Sequence, residues 1–153
     1  MRNLLFCVCL VFLTSCSSNI VYEKTFDFEN GVWSYNNPSS FELTLDNNNI
    51  KYDLLLDINH SISYPFENLY LKIKTEFPDQ SSVSDTLSIE MVNKQGAWVG
   101  NCSGENCQLR IVLQERTRFK DAGDHSITFE QFTREEDLQG VNSLGFSLLS
   151  SKQ

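Results

Sequence analysis

The sequence has only two histidines among its 153 residues, and the common catalytic signatures are missing from it. It contains no Gly-x-Ser-x-Gly nucleophile turn, no glycine-rich phosphate loop and no His-Glu-x-x-His zinc motif. His60 and His125 also lack a recognisable zinc-ligand spacing. The sequence therefore predicts a protein that is not an enzyme and has no metal or cofactor. Its many carboxylates leave a glycosidase pair as the weakest alternative.

Basic residues are also scarce, with 12 Lys and Arg against 20 Asp and Glu, for a net charge of −8. A surface of this sign repels phosphate backbones, so nucleic acid is excluded as the main partner. The same charge argues against an anionic lipid surface as the main ligand.

No apolar run reaches the roughly 20 residues that a membrane-spanning helix needs. Residues 4–13 (LLFCVCLVFL) follow Arg2 and have the length of a signal-peptide core. The small residues Thr14 and Ser15 then precede Cys16, as in a bacterial lipobox. We predict a signal peptide over residues 1–15 and a tether over 16–20, with acyl chains (palmitate) on Cys16. The alternative is an ordinary signal peptide with a chance cysteine.

Cys102 and Cys107 form an even pair once residues 1–15 are removed and Cys16 is acylated. Gly104 and Asn106, both turn-forming residues, lie between them. In an oxidising compartment this pattern predicts a disulfide that closes a small loop, with two free thiols as the alternative.

Residues 21–153 alternate between apolar and polar side chains in short runs such as 41–45 (FELTL) and 69–73 (LYLKI). A period of two is typical of strands with one buried face, which must meet a second sheet. About eight such runs, separated by turn residues, predict one all-β domain: a jelly-roll-like β-sandwich of antiparallel strands. Only residues 134–138 (REEDL) suggest a helical turn.

The two tryptophans raise the question of a sugar-binding face. Sugars stack on exposed aromatic rings, but a buried ring stabilises a core. We expect Trp33 in the core and leave Trp98 open between core and sugar platform. Gly96 and Gly100 flank Trp98 beside the predicted disulfide loop, and these three residues form our candidate contact surface.

Several short motifs occur in order along most of the chain. They are residues 64–69 (YPFENL), 85–87 (DTL), 96–100 (GAWVG), 118–119 (RF), 122–123 (AG), 129–131 (FEQ), 134–141 (REEDLQGV) and 144–146 (LGF). In their order and spacing they resemble the gliding-motility lipoprotein H family (GldH) of Bacteroidetes. The segment after Gly100 departs from the glycine-rich pattern expected of the family, because it carries Cys102 and Cys107.

The resemblance implies an outer-membrane lipoprotein associated with the gliding or type IX secretion machinery, with a protein partner in the cell envelope and no known enzyme activity. A carbohydrate-binding lipoprotein is the alternative. Residues 17–19 (SSN) lack the acidic residues that serve as a surface-export signal in some Bacteroidetes lipoproteins. We therefore expect attachment through the lipid anchor at the periplasmic face of the outer membrane.

Overall fold

A computed structural model describes residues 19–46 and 49–151. Eight long strands carry the fold: β1 (Ile20–Asp27), β3 (Ser39–Leu45), β4 (Tyr52–Ser61), β5 (Asn68–Glu76), β6 (Ser82–Glu90), β8 (Asn106–Thr117), β9 (Gly123–Gln131) and β11 (Val141–Ser150). Three short strands lie in the links between them: β2 (Val32–Ser34), β7 (Asn101–Ser103) and β10 (Asp137–Gln139).

The strands form two facing antiparallel sheets. The larger has the order β1-β11-β4-β8-β7 and the smaller has the order β3-β9-β5-β6, while β2 and β10 pair separately. Counted among the eight long strands, the larger sheet holds the first, eighth, third and sixth, and the smaller holds the second, seventh, fourth and fifth. This alternation between two sheets is the threading of a jelly roll. The predicted all-β sandwich is confirmed.

The core lies between the sheets, and the alternating side chains predicted to be apolar and inward-facing supply it. Phe41 on β3, Phe129 on β9 and Phe146 on β11 are each at most 1% exposed. The Phe146 ring of the larger sheet packs against Phe41 and Phe129 of the smaller sheet, with centroids 5.5 and 5.9 Å away. Burial of each such side chain stabilises the fold by about 1.5–3 kcal/mol, so the ring contacts fix how the two sheets face each other.

Residues 134–138 are not helical, and this prediction was wrong. They form a loop that runs into β10, whose Leu138 lies opposite Trp33 on β2. The Gln131 side chain donates to the Glu135 carbonyl (2.7 Å), and the Tyr35 backbone N–H donates to the Glu136 carbonyl (2.9 Å). A nearby side chain and a backbone group distant in sequence therefore take the carbonyls that a helix would have used.

Candidate functional site

The two ends of the sandwich differ in content. At one end β1 begins, and the links 46–51, 77–81 and 118–122 connect the strands. At the other end, which we call the far end, the links 28–38, 62–67, 91–105 and 132–140 meet. All of the residues in the predicted contact surface, and both cysteines, fall in or directly beside the far-end links.

Backbone hydrogen bonds join the far-end links to one another. The Gly140 N–H donates to the Gly31 carbonyl (2.8 Å), and its own carbonyl accepts from the Ser61 N–H (2.8 Å). The Ile62 N–H donates to the Glu105 carbonyl at 2.9 Å. A Cβ at Gly140 would lie 2.9 Å from the Tyr64 Cα, so this crossing requires glycine. The links are thus tied into one surface rather than being separate loops.

Trp98 belongs to a small aromatic cluster with His60 and Tyr64. It is carried by a hairpin in which the Val99 N–H donates to the Met91 carbonyl (2.9 Å), and its ring packs on the cluster formed by His60 and Tyr64. The ring centroids of Trp98 and His60 are 4.8 Å apart. Trp98 is half-buried, which places it between the two alternatives left open by the sequence: one part of the indole packs on the core and the rest faces solvent.

Gly96 and Gly100 have different roles in this hairpin. Gly96 has a positive φ of 76° and open space around it. Gly100 has a φ of 103°, and a Cβ there would lie 2.4 Å from the Gln108 carbonyl oxygen. Gly96 therefore allows the turn, whereas Gly100 allows two backbone segments to touch.

The predicted disulfide joins Cys102 on β7 to Cys107 on β8, with the two Cα atoms 3.9 Å apart. Gly104 turns the chain between the two strands with a φ of 61°. Cys107 is fully buried, while Cys102 is exposed. The bond therefore holds the β7 strand to the rim of the larger sheet, next to the Trp98 hairpin.

A groove that the sequence did not predict opens beside this cluster. It has a volume of about 850 Å³ and lies between residues 65–70 and 132–135. Its walls include three aromatic side chains with high exposure: Phe66 at 38%, Tyr70 at 46% and Phe132 at 58%. Arg134 and Glu135 supply charge at its edge. Exposed aromatics in a concave surface are typical of binding sites.

One signal in the sequence pointed to this groove. Tyr70 occupies a polar position in the alternation of β5, between the buried Leu69 and Leu71. An aromatic ring on the outer face of a strand has no core to fill. Phe66 and Phe132 lie in links, where side chains follow no period, so no pattern indicated their exposure.

Of the two remaining candidates, Trp33 and Cys16, the structure describes only Trp33. Trp33 is fully buried and stacks on Phe28 with a centroid distance of 4.8 Å, so its predicted place in the core is confirmed. Cys16 lies outside the described residues. Within the described ranges, no group of three or more His, Cys, Asp or Glu side chains is placed to hold a metal ion. No helix in that part of the chain is long and apolar enough to cross a membrane.

Comparison with known proteins identifies the family of this chain. The family model for the GldH lipoprotein matches residues 20–148, which is nearly the whole sandwich. A gliding motility lipoprotein GldH homolog from Christiangramia forsetii is 25% identical over 96% of this chain and 94% of its own length. The gliding motility lipoprotein GldH of Flavobacterium johnsoniae is 26% identical over 90% of this chain and 89% of its own. The chain therefore belongs to the GldH lipoprotein family.

Proposed function

We propose that this protein is an outer-membrane lipoprotein, anchored through acylated Cys16 and facing the periplasm. In this proposal it is a non-enzymatic interaction component of the gliding or type IX secretion machinery, and its far end contacts a partner protein of the cell envelope. The names of its relatives as gliding motility lipoproteins support the setting. The proposed contact surface contains Gly96, Trp98 and Gly100 and extends into the aromatic groove.

The observation that carries this proposal is the opposition of the two ends. Only residues 17–19 separate Cys16 from the start of β1, a stretch that spans at most about 14 Å. An anchor on Cys16 therefore keeps the β1 end next to the bilayer. The ten residues of β4 span about 33 Å from that end to the far end. The exposed aromatics thus face away from the membrane, where a partner can reach them.

Two carboxylates, Asp53 and Asp79, are unsuited to the general-acid role in a glycosidase. A glycosidase needs a carboxylic acid whose pKa is raised, so that it stays protonated near neutral pH. The hydrogen bond from the Arg116 N–H lowers the pKa of Asp53, and the hydrogen bond from the Ser81 hydroxyl lowers that of Asp79. Both shifts keep the carboxylates ionised and are opposite to the one a general acid requires.

Membrane fractionation of a Cys16→Ser variant tests the anchor. We expect the wild-type protein to take up labelled palmitate and to sediment with outer membranes. The variant should lose the label and leave the outer-membrane fraction, because one residue supplies the attachment. Cys102→Ser is the matched control, since it removes a cysteine but keeps the lipobox. Unchanged labelling of the Cys16 variant would refute the lipoprotein assignment.

A carbohydrate ligand is the second candidate, and the groove favours it. Phe66, Tyr70 and Phe132 present exposed rings around one concave surface. Titration with a panel of envelope oligosaccharides, followed by NMR, tests this function. Shifts confined to residues 65–70 and 132–135, and lost in Phe132→Ala, would favour sugar. Absence of any shift at millimolar sugar would leave the protein partner as the sole proposal.

A further inference from the structure

Strand β6 forms a free edge of the smaller sheet. It pairs with β5 on one side, and no described strand lies along its other side. The pairing runs from Asn68 opposite Glu90 to Glu76 opposite Ser82 without a shift of register. The facing strand of the larger sheet is β8, which forms the edge of that sheet beyond its short pairing with β7. This edge is less regular, because the pairing of β8 with β4 has two register shifts and Arg116 has a φ of 50°. A long, regular edge such as β6 is a template for another strand.

The hydrogen-bond pattern shows which groups of β6 point outward. Beyond one end of the ladder the Met91 N–H donates to the Glu67 carbonyl, and beyond the other the Phe77 N–H donates to the Ser81 carbonyl. Both bonded pairs, residue 67 with 91 and residue 77 with 81, continue the register of the ladder, in which hydrogen-bonded and non-hydrogen-bonded pairs alternate. The odd-numbered residues of β6 therefore form the hydrogen bonds to β5. The N–H and C=O groups of the even-numbered residues, including Ser84, Thr86 and Ser88, therefore point to the free side.

Natural edge strands are usually protected by lysine, proline or a bulge. The nine residues of β6 (SVSDTLSIE) contain no lysine and no proline, and the ladder has no bulge. Its charged side chains are Asp85 and Glu90, of which Asp85 faces the space between the sheets. Asp85 is itself a protective device, because an inward-pointing charge opposes an added strand unless that strand supplies the opposite charge. Apart from Asp85 and Glu90 at its end, the edge is unprotected.

A cleft lies directly behind this edge. It has a volume of about 500 Å³ and opens between β6 and β8. Ile73, Leu87 and Leu113 line it and stay only half-buried, although they continue the apolar alternation of their strands. Val83 at its mouth is 51% exposed. Apolar side chains inserted here would remove surface from water, at roughly 25 cal/mol per Å².

We propose that β6 accepts an extended segment of a partner protein as an additional strand of the smaller sheet. The backbone of the segment pairs with the even-numbered residues of β6, and its alternate apolar side chains enter the cleft. Arg118 and Lys120 also line the cleft, and Lys120 pairs with Asp121 at 3.9 Å. The segment therefore carries a basic residue opposite Asp85 and an acidic residue where it meets Arg118. This surface is independent of the far-end contact.

A second copy of this chain fits the edge less well. Antiparallel pairing of two β6 strands would bring together two strands that each carry Asp85 and Glu90 and no basic residue. Like charges on paired strands destabilise the pairing. Arg118 beside the cleft belongs to the link after β8, so it favours an occupant that supplies its own carboxylate.

A designed peptide of about ten residues tests the proposal in the mature protein. The peptide has valine at alternate positions, except that a lysine replaces the valine opposite Asp85. A glutamate near one end is placed to meet Arg118. Amide exchange followed by NMR is the readout. We expect slower exchange at Ser84, Thr86 and Ser88, and little change at Val83 and Asp85, whose amides already bond to β5.

Two controls separate strand addition from other binding. A peptide with the same side chains but N-methyl groups along its pairing edge should bind about tenfold more weakly or worse, because it lacks the donors. Thr86→Pro should cause a similar loss, while Thr86→Val, which keeps the N–H, should bind as the wild type. The proposal would be overturned if the two peptides bound equally, or if no peptide bound at millimolar concentration. It would also be overturned if slower amide exchange appeared away from β6, or if it appeared on raising the protein concentration without peptide.

Discussion

The indole of Trp98 covers the imidazole of His60, with ring centroids 4.8 Å apart and planes inclined at 61°. His60 is completely buried beneath it. Its Nδ1 lies 3.0 Å from the Ser61 carbonyl oxygen, which can only accept, so Nδ1 carries the proton and donates. Its Nε2 has no hydrogen-bond partner within the described residues. Burial without an anion beside the ring lowers the pKa of His60.

This lowered pKa predicts a pH-dependent stability. An unfolded histidine takes up a proton near pH 6.5, whereas buried His60 takes one up only at lower pH. Below about pH 6.5 the unfolded chain therefore binds more protons, and the free energy of unfolding falls as the pH falls. We expect urea unfolding to show this decrease between pH 7.5 and 5.5, above the range where carboxylates titrate.

His60→Phe is the control for this pH effect. It keeps an aromatic ring under Trp98 and removes the titrating group, while His125 remains in both proteins. We expect a clearly flatter dependence of the unfolding free energy on pH in the variant. The same slope in both proteins would show that His60 does not cause the effect.

The two glycines beside Trp98 predict unequal costs of substitution. Gly100→Ala places a Cβ 2.4 Å from the Gln108 carbonyl oxygen at a φ of 103°, so the hairpin must move. We expect a loss of about 3 kcal/mol in the free energy of unfolding. Gly96→Ala has open space and needs only a left-handed backbone, so its cost should be about 1 kcal/mol. Denaturant unfolding measures both, and equal losses would contradict the close approach at Gly100.

Fluorescence quenching should separate the two tryptophans. Trp33 is fully buried, and its Nε1 donates to the Asn37 carbonyl at 3.0 Å. Trp98 is half-buried. In Trp98→Phe the remaining Trp33 should resist acrylamide, whereas in Trp33→Phe the remaining Trp98 should be quenched several times more strongly. Comparable quenching would mean that the hairpin does not hold Trp98 as described.

The disulfide should contribute modestly to stability. It closes a short loop, with a sequence separation of 5 between Cys102 and Cys107. The loop-entropy relation gives about 2 kcal/mol for a loop of this size. In urea unfolding, we expect the free energy of unfolding of the double variant Cys102→Ser/Cys107→Ser to be lower than that of the wild type by that amount. Reduction of the wild type should cause the same loss. Equal stability of the oxidised and reduced proteins would contradict this contribution.

Much of the sandwich follows from local sequence pattern. Phe41, Leu43 and Leu45 alternate with polar residues, and the structure buries all three on one face of β3. The cysteine pair was predictable because its turn residues lie between the two thiols. These features depend on neighbours in sequence, which a single chain displays directly.

The far end depends on distant partners instead. Residues 134–138 were predicted to be helical, but the Glu136 carbonyl accepts from the distant backbone N–H of Tyr35. Phe66 and Phe132 come together only because β5 begins where β9 ends. The open cleft behind β6 was equally hidden, since Leu87 and Leu113 have the same pattern as fully buried core residues. Pairing across the fold, rather than periodicity, determines all three.

The central claim is that the far end meets a protein partner while the β1 end stays at the membrane. Photo-crosslinking in living cells tests it most directly, with a photoreactive residue at Phe66 or at Ile50. These positions are similarly exposed, at 38% and 39%, and lie at opposite ends of the sandwich. We predict that Phe66, but not Ile50, gives a discrete adduct with a protein of the cell envelope. The same adducts from both positions, or an adduct from Ile50 alone, would contradict the account.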